Sequence, residues 1–188
     1  REKADLYLVN TCTVTERANS KSRSEIRKLH RINPSAKIVV TGCYAQMKPE
    51  EISAIEGVAR VFPGSEKALV VPESLRLLGL EVPEPESLPL FFGAYSSGER
   101  TRSFLKVQDG CDNFCRYCTV PYARGRSRSI PVCEALRHAR EISAKGIREI
   151  VLTGVNTGDF GRGSGESFLD LLQALNGVPG IERYRISS

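Results

Sequence analysis

Three cysteines, Cys111, Cys115 and Cys118, fall within eight positions in the stretch VQDGCDNFCRYCTVPYARGRSRS, spaced C-x3-C-x2-C. A structural zinc site takes four protein ligands, usually as two close pairs, and this stretch holds one such pair. Three thiolates instead suit a 4Fe-4S cluster whose fourth iron is left open to an exogenous ligand. Cysteines packed as small hydrophobes are the plain alternative. It fits poorly with Gly110, Asp112, Asn113 and Arg116 as neighbours.

Two more cysteines stand upstream at the ends of predicted strands, Cys12 in LVNTCTVTE and Cys43 in VVTGCYAQMKPEE. The first precedes a helix whose start, Thr13 to Glu16, has the form of a capping box. The second precedes a helix opened by Pro49, Glu50 and Glu51. Both thiols therefore belong to the carboxyl edge of one parallel sheet, where such folds bind ligands. A shared metal and two structural cysteines are both compatible with that placement. Cys133, at the head of a helix, reads as a packing residue. His30 and His138 lie in helical stretches and receive no catalytic role.

Basic residues gather in two places. Arg116, Arg124, Arg126 and Arg128 surround the cysteine loop, with the last three placed to meet phosphates or a cofactor carboxylate. Arg17, Lys21, Arg23, Arg27, Lys28 and Arg31 load one helix. An RNA-binding face and an ordinary solvated face read alike there. Arg124, Arg126, Arg128, Lys21 and Arg27 are the RNA-binding candidates.

The elements that position these residues follow from hydrophobic periodicity. DLYLVN, KIVVTG and ARVFPG alternate with helices expected at 14–31, 49–56 and 65–78, which implies a parallel sheet covered by helices. Residues 81–100, rich in proline and then in glycine and serine, are expected to be a linker. From 101 the alternation resumes: RSFLKVQ, the cysteine loop, a helix from Pro131 to Ala144, REIVLTG, a helix at 167–176 and a strand at 182–187. The 188 residues are 40% apolar with a net charge of +5, a composition that can bury a core and permits a polyanionic partner. No apolar run spans a bilayer and no secretory signal opens the chain, so a cytoplasmic address is expected. The start at Arg1 and the end within a predicted strand are expected of a fragment.

QDGCDNFCRYC resembles the radical S-adenosylmethionine superfamily. Together with VNTC, TGCYAQ and PYARGR it is similar to the methylthiotransferase family. NTCTVTERANSKSRSEIRK and LTGVNTGDFG most resemble the branch acting on threonylcarbamoyladenosine in tRNA. The resemblance implies an α/β chain: a Rossmann-like parallel-sheet domain over 1–80, then the first part of a partial (βα)6 barrel over 101–188, stopping after its third strand. It implies two 4Fe-4S clusters and S-adenosylmethionine. Cys111, Cys115 and Cys118 would hold the radical cluster, and Cys12 and Cys43 two corners of an auxiliary cluster whose third cysteine lies upstream. Tyr117 would flank the adenine of S-adenosylmethionine, and Gly154 and Asn156 would line its pocket. The implied activity adds a methylthio group at C2 of the modified adenosine at tRNA position 37, with the anticodon loop and an electron-donating reductase as partners and no membrane. Relatives acting on isopentenyladenosine or on a ribosomal-protein aspartate are the competing readings. A noncatalytic iron-sulfur or zinc module that binds RNA is the reading from another class.

Overall fold

Leu6–Thr11 (β1), Lys37–Gly42 (β2) and Val58–Phe62 (β3) pair in parallel, with β2 in the centre. They belong to the first of two compact units, Arg1–Leu90 and Phe91–Ser188, in a computed structural model that describes residues 3–13, 15–82, 94–96 and 101–187. The side chains of β2 alternate between two cores, as the period-two geometry of a strand requires. Ile38 and Val40 meet Ile26 and Leu29 of Glu16–Ile32 (α1), together with Tyr44 and Ala45 of Cys43–Met47 (α2) and Ile52 of Pro49–Ser53 (α3). Val39 points the other way, onto Phe62 and Val70, the latter opening Val70–Leu77 (α4). All three β2 side chains are fully buried, each contributing about 1.5–3 kcal/mol from area removed from water.

The local starts differ in detail from those expected. Thr15, not Thr13, caps α1, its hydroxyl accepting from the Ala18 N–H. The expected helix at 49–56 is preceded by α2, which begins at Cys43, and α3 ends at Ser53. The expected helix at 65–78 opens as a 3-10 turn over Gly64–Leu69 before α4. Arg23 leaves the basic face of α1 and donates to the Tyr44 hydroxyl at 2.7 Å and to Glu51 at 2.8 Å, while Tyr44 donates to Glu51 at 2.6 Å. That network braces α1 against α2 and α3.

In the second unit, Arg102–Lys106 (β5), Glu149–Thr153 (β8) and Arg183–Ser187 (β9) pair in parallel. Ala94–Tyr95 (β4), inside the stretch expected as a linker, adds an antiparallel edge strand to β5. Residues 83–93 and 97–100 of that stretch lie outside the described ones. Val132–Ala144 (α6) and Phe168–Asn176 (α7) supply the core, placing Ala135, Ala139, Ile142, Leu171 and Leu175 against Leu105, Ile150 and Leu152. Ser167 and Asp170 close a reciprocal capping box at the start of α7. Between β5 and α6 the chain inserts Gln108–Asp109 (β6), the cysteine loop, Val120–Arg124 (α5) and Arg128–Ser129 (β7), with β6 and β7 antiparallel. Both units are α/β with parallel strands and helical layers. Among the described residues, no helix is long and apolar enough to cross a membrane.

Leu152→Ala, removing a fully buried side chain from the central strand of the second unit, is expected to cost about 2–5 kcal/mol in chemical denaturation. The Tyr44 hydroxyl bond, followed by Lys48 and Arg23, holds the Glu51 carboxyl below the usual glutamate range. A folded pKa below the unfolded one gives stability that is present above the unfolded value, about 4.3, and lost as pH falls through the folded value. Glu51→Gln should therefore lower Tm at neutral pH, with the gap to the parent closing as pH drops through the acid range. A gap independent of pH in calorimetry would contradict this.

Candidate functional site

The strand register of the first unit brings two thiols to one edge. Thr11 pairs with Gly42 at the carboxyl ends of β1 and β2, so Cys12 and Cys43 leave neighbouring strand ends as the next residues. Cys12 is exposed and Cys43 half-buried, and both are free. Cys43 occupies the first turn of α2. The Thr11 hydroxyl donates to the Thr41 carbonyl at 2.6 Å and accepts from the Ala45 N–H, stitching β1 to β2 and α2. Gly42 has φ of 103°, and a Cβ there would fall 2.3 Å from the Thr11 carbonyl oxygen. Only glycine permits the two strand ends to close so tightly.

In the second unit, Cys111, Cys115 and Cys118 occupy the loop that leaves β6, and all are free. Cys115 is exposed and the other two are half-buried. The loop is shaped by backbone contacts. Gly110, at φ 75°, lies so close to the return strand that a Cβ would sit 2.0 Å from the Arg126 carbonyl oxygen. The Cys111 N–H donates to the Gly125 carbonyl, and a turn joins the Cys118 N–H to the Cys115 carbonyl at 2.9 Å. Phe114, between the first two cysteines, takes φ of 46°, a left-handed conformation that costs a non-glycine residue energy. Its ring meets Tyr122 edge-on at 5.6 Å. Tyr117 is 91% exposed. Among the described residues, no group of three or more His, Cys, Asp or Glu side chains stands arranged to hold a metal ion. The backbone gathers the thiols on one loop, and their side chains do not converge as they stand.

The arginines behind the loop divide. Asp109 receives Arg124 at 3.1 Å, Arg128 at 3.5 Å and Lys106 at 3.5 Å. Burial pushes the Asp109 carboxyl up, and these three cations outweigh it, so the group stays below the usual aspartate range. Arg128 also donates to the carbonyls of Arg124 and Arg126. Arg124 and Arg128 thus brace the base of the loop through Asp109 and the backbone, while the Arg124 side chain stays 44% exposed. Arg126 is 82% exposed, with Asp112 at 3.9 Å. On α1, Lys21 and Arg27 are exposed.

Gly154 and Asn156 lie in the loop after β8, held to the cysteine loop by Gln108. Gln108 is 1% exposed. Its Oε1 accepts the N–H groups of Val155 and Asn156, and its Nε2 donates to the Gly110 carbonyl and the Ser127 hydroxyl. Sequence reasoning passed over both Gln108 and Asp109. The available signal was a long polar side chain running an apolar strand into a glycine turn, where buried amides demand partners. Cys133 is exposed on the first turn of α6, so it is not a packing residue: the helix turns Ala135, Ala139 and Ile142 inward instead. His138 is buried against Tyr95, between Glu134 and Glu141.

Residues 1–64 match the uncharacterized protein family UPF0004, and residues 105–184 match the radical SAM superfamily. The chain is 41% identical over 200 residues to a threonylcarbamoyladenosine tRNA methylthiotransferase of Bacillus subtilis, covering 98% of this chain and 43% of that protein. It is 38% identical to the protein of the same name from Chlamydia pneumoniae, covering 98% of this chain and 42% of that one. The chain belongs to the radical SAM methylthiotransferase family. It spans under half the length of these two family members. The fold is also similar to that of the radical S-adenosylmethionine methyltransferase TsrM of Kitasatospora setae, solved with cobalamin and a 4Fe-4S cluster, at a TM-score of 0.51. That match has 15% identity and covers 84% of this chain and 39% of TsrM.

Gly110→Ala should lower Tm more than Gly125→Ala. Both positions have positive φ, but a Cβ at Gly125 meets only the Arg128 guanidinium at 3.6 Å. The positive φ costs each variant about 1–3 kcal/mol, and the backbone collision adds to that at Gly110 alone. Equal Tm losses would show that the close approach of the loop to its return strand carries no weight.

Proposed function

We propose that this chain forms part of an enzyme that adds a methylthio group to C2 of threonylcarbamoyladenosine in tRNA, using two 4Fe-4S clusters and S-adenosylmethionine. The observation that carries the reading is the presence of two separate thiol sets. One is the three-cysteine loop leaving β6, and the other is the pair at the joined ends of β1 and β2. Sulfur insertion calls for a sulfur-handling centre as well as a radical-generating one, and one set is available for each.

The donor chemistry fits. Each set is made of free cysteine thiols with no disulfide, and soft thiolate ligands select iron-sulfur clusters over hard cations. Cys111, Cys115 and Cys118 would hold the radical cluster, their side chains rotating into place on the irregular loop, and Cys12 and Cys43 would hold part of the auxiliary one. When bound, the three-cysteine cluster supplies an open iron and one-electron reduction for S-adenosylmethionine.

The chain's own residues do the positioning. Asp109 and its three cations fix the base of the radical loop. Exposed Tyr117 offers a ring for the adenine of the cofactor. The exposed guanidinium of Arg126 and the basic side chains Lys21 and Arg27 offer phosphate contacts to an anticodon loop, whose unstacked bases suit recognition by an enzyme that works on a base. A reductase is the proposed electron source and the cytoplasm the proposed site of action.

With full-length protein and a chemical reductant, Cys115→Ala is expected to abolish release of 5′-deoxyadenosine from S-adenosylmethionine, and unchanged release would refute the loop assignment. Mass spectrometry of tRNA nucleosides from a strain lacking the gene should show the methylthio mass lost from threonylcarbamoyladenosine. Loss from isopentenyladenosine instead would reassign the substrate.

A further inference from the structure

The buried amide of Gln108 joins the cysteine loop to the loop that follows β8, and its two ends do opposite work. Oε1 accepts from the Val155 N–H at 2.8 Å and from the Asn156 N–H at 2.9 Å. Nε2 faces the Asp109 carbonyl at 3.1 Å, the Gly110 carbonyl at 2.8 Å and the Ser127 hydroxyl at 2.9 Å. Every polar contact on one side belongs to the segment carrying the thiols or its return strand. Every contact on the other belongs to the backbone after β8.

The neighbouring glycines are cut to this side chain. A Cβ on Gly154 would stand 2.8 Å from Oε1 and 3.0 Å from Cβ of Gln108, and 2.9 Å from Cγ2 of Thr157. Gly154 is therefore required by the approach of Gln108 before any ligand is considered. Gly110, which receives one Nε2 bond, is itself pressed against the Arg126 carbonyl. Few side chains can replace the amide. A carboxylate of the same length keeps the acceptor for Val155 and Asn156 and sets its other oxygen against two carbonyl oxygens. An apolar side chain strands two buried N–H groups and two carbonyls.

We propose that Gln108 is a positioning residue that fixes the backbone of residues 154–156 to the cysteine loop, and that this spacing sets the affinity for S-adenosylmethionine. The proposal rests on the functional reading above. It gives Gly154 and Asn156 a definite part: their backbone is held in register with the cluster loop through one side chain, so the two halves of the cofactor site cannot drift apart. The cysteines keep their own contacts through Cys111 to Gly125 and Cys118 to Cys115, so loss of the clamp should leave cluster loading intact.

The test uses the full-length protein and two variants, Gln108→Glu as the isosteric change and Gln108→Leu as the stronger one, with Tm as the check on folding. Three quantities are measured: iron and acid-labile sulfide per chain, hydrogen exchange at Val155 and Asn156, and KM and kcat for cleavage of S-adenosylmethionine. Both variants are expected to retain parental iron and to raise KM roughly tenfold or more with a much smaller change in kcat, the range seen when a supporting hydrogen bond is lost, and Gln108→Leu, which removes the acceptor, to exchange faster at those two amides. Parental KM with faster exchange would overturn the proposal, leaving Gln108 a core amide without bearing on the cofactor. Parental exchange in both folded variants would overturn it as well. A parent protein that loads iron but neither binds nor cleaves S-adenosylmethionine would overturn the functional reading, and the exchange rates would then decide the clamp by themselves.

Discussion

Parallel pairing is the constraint on which the rest of the molecule depends. Strands joined by helical crossovers deliver their carboxyl ends to one edge of the sheet. In the first unit this sets Cys12 beside Cys43, although a whole helix separates them in sequence. In the second unit it sets the segment leaving β5 beside the segment leaving β8, where one amide can bridge them. The chemistry-bearing residues need no long excursions of their own to meet. Tight closure of the strand ends then selects the small residues, Gly42 in one unit and Gly154 in the other, since a Cβ at either would overlap its neighbour.

Charge at the base of the cysteine loop is arranged for structure. Asp109 gathers Lys106, Arg124 and Arg128 at the base of the loop. Partly buried pairing of this kind is screened less by salt than a surface pair, so the loop base should hold its shape across ordinary ionic strengths. Arg126 is largely exposed, with Asp112 at 3.9 Å.

The alternation of strands and helices was legible from periodicity because both central strands, β2 and β8, are continuous apolar runs flanked by amphipathic helices. The cysteine spacing was legible because it is local. The role of Gln108 was not, since its five partners come from three segments and a single polar residue at a strand end has many possible fates. Cap positions failed for a related reason. Thr13, three residues before Glu16, has the capping-box form, whereas Thr15 is followed at that distance by Ala18 and caps α1 with its hydroxyl alone. Cys133 was misplaced because helix phase depends on which face α6 turns to the sheet, and that face is set by Ala135, Ala139 and Ile142.

The central claim is that two independent thiol sets hold two clusters. Iron and acid-labile sulfide per chain, measured on anaerobically reconstituted full-length protein and on its Cys111/Cys115/Cys118 triple alanine variant, test it most directly. The account predicts about eight irons in the parent and about four in the variant, as two cysteine-ligated 4Fe-4S sites require. About four irons falling to none would contradict it, leaving a single cluster and no centre for sulfur insertion.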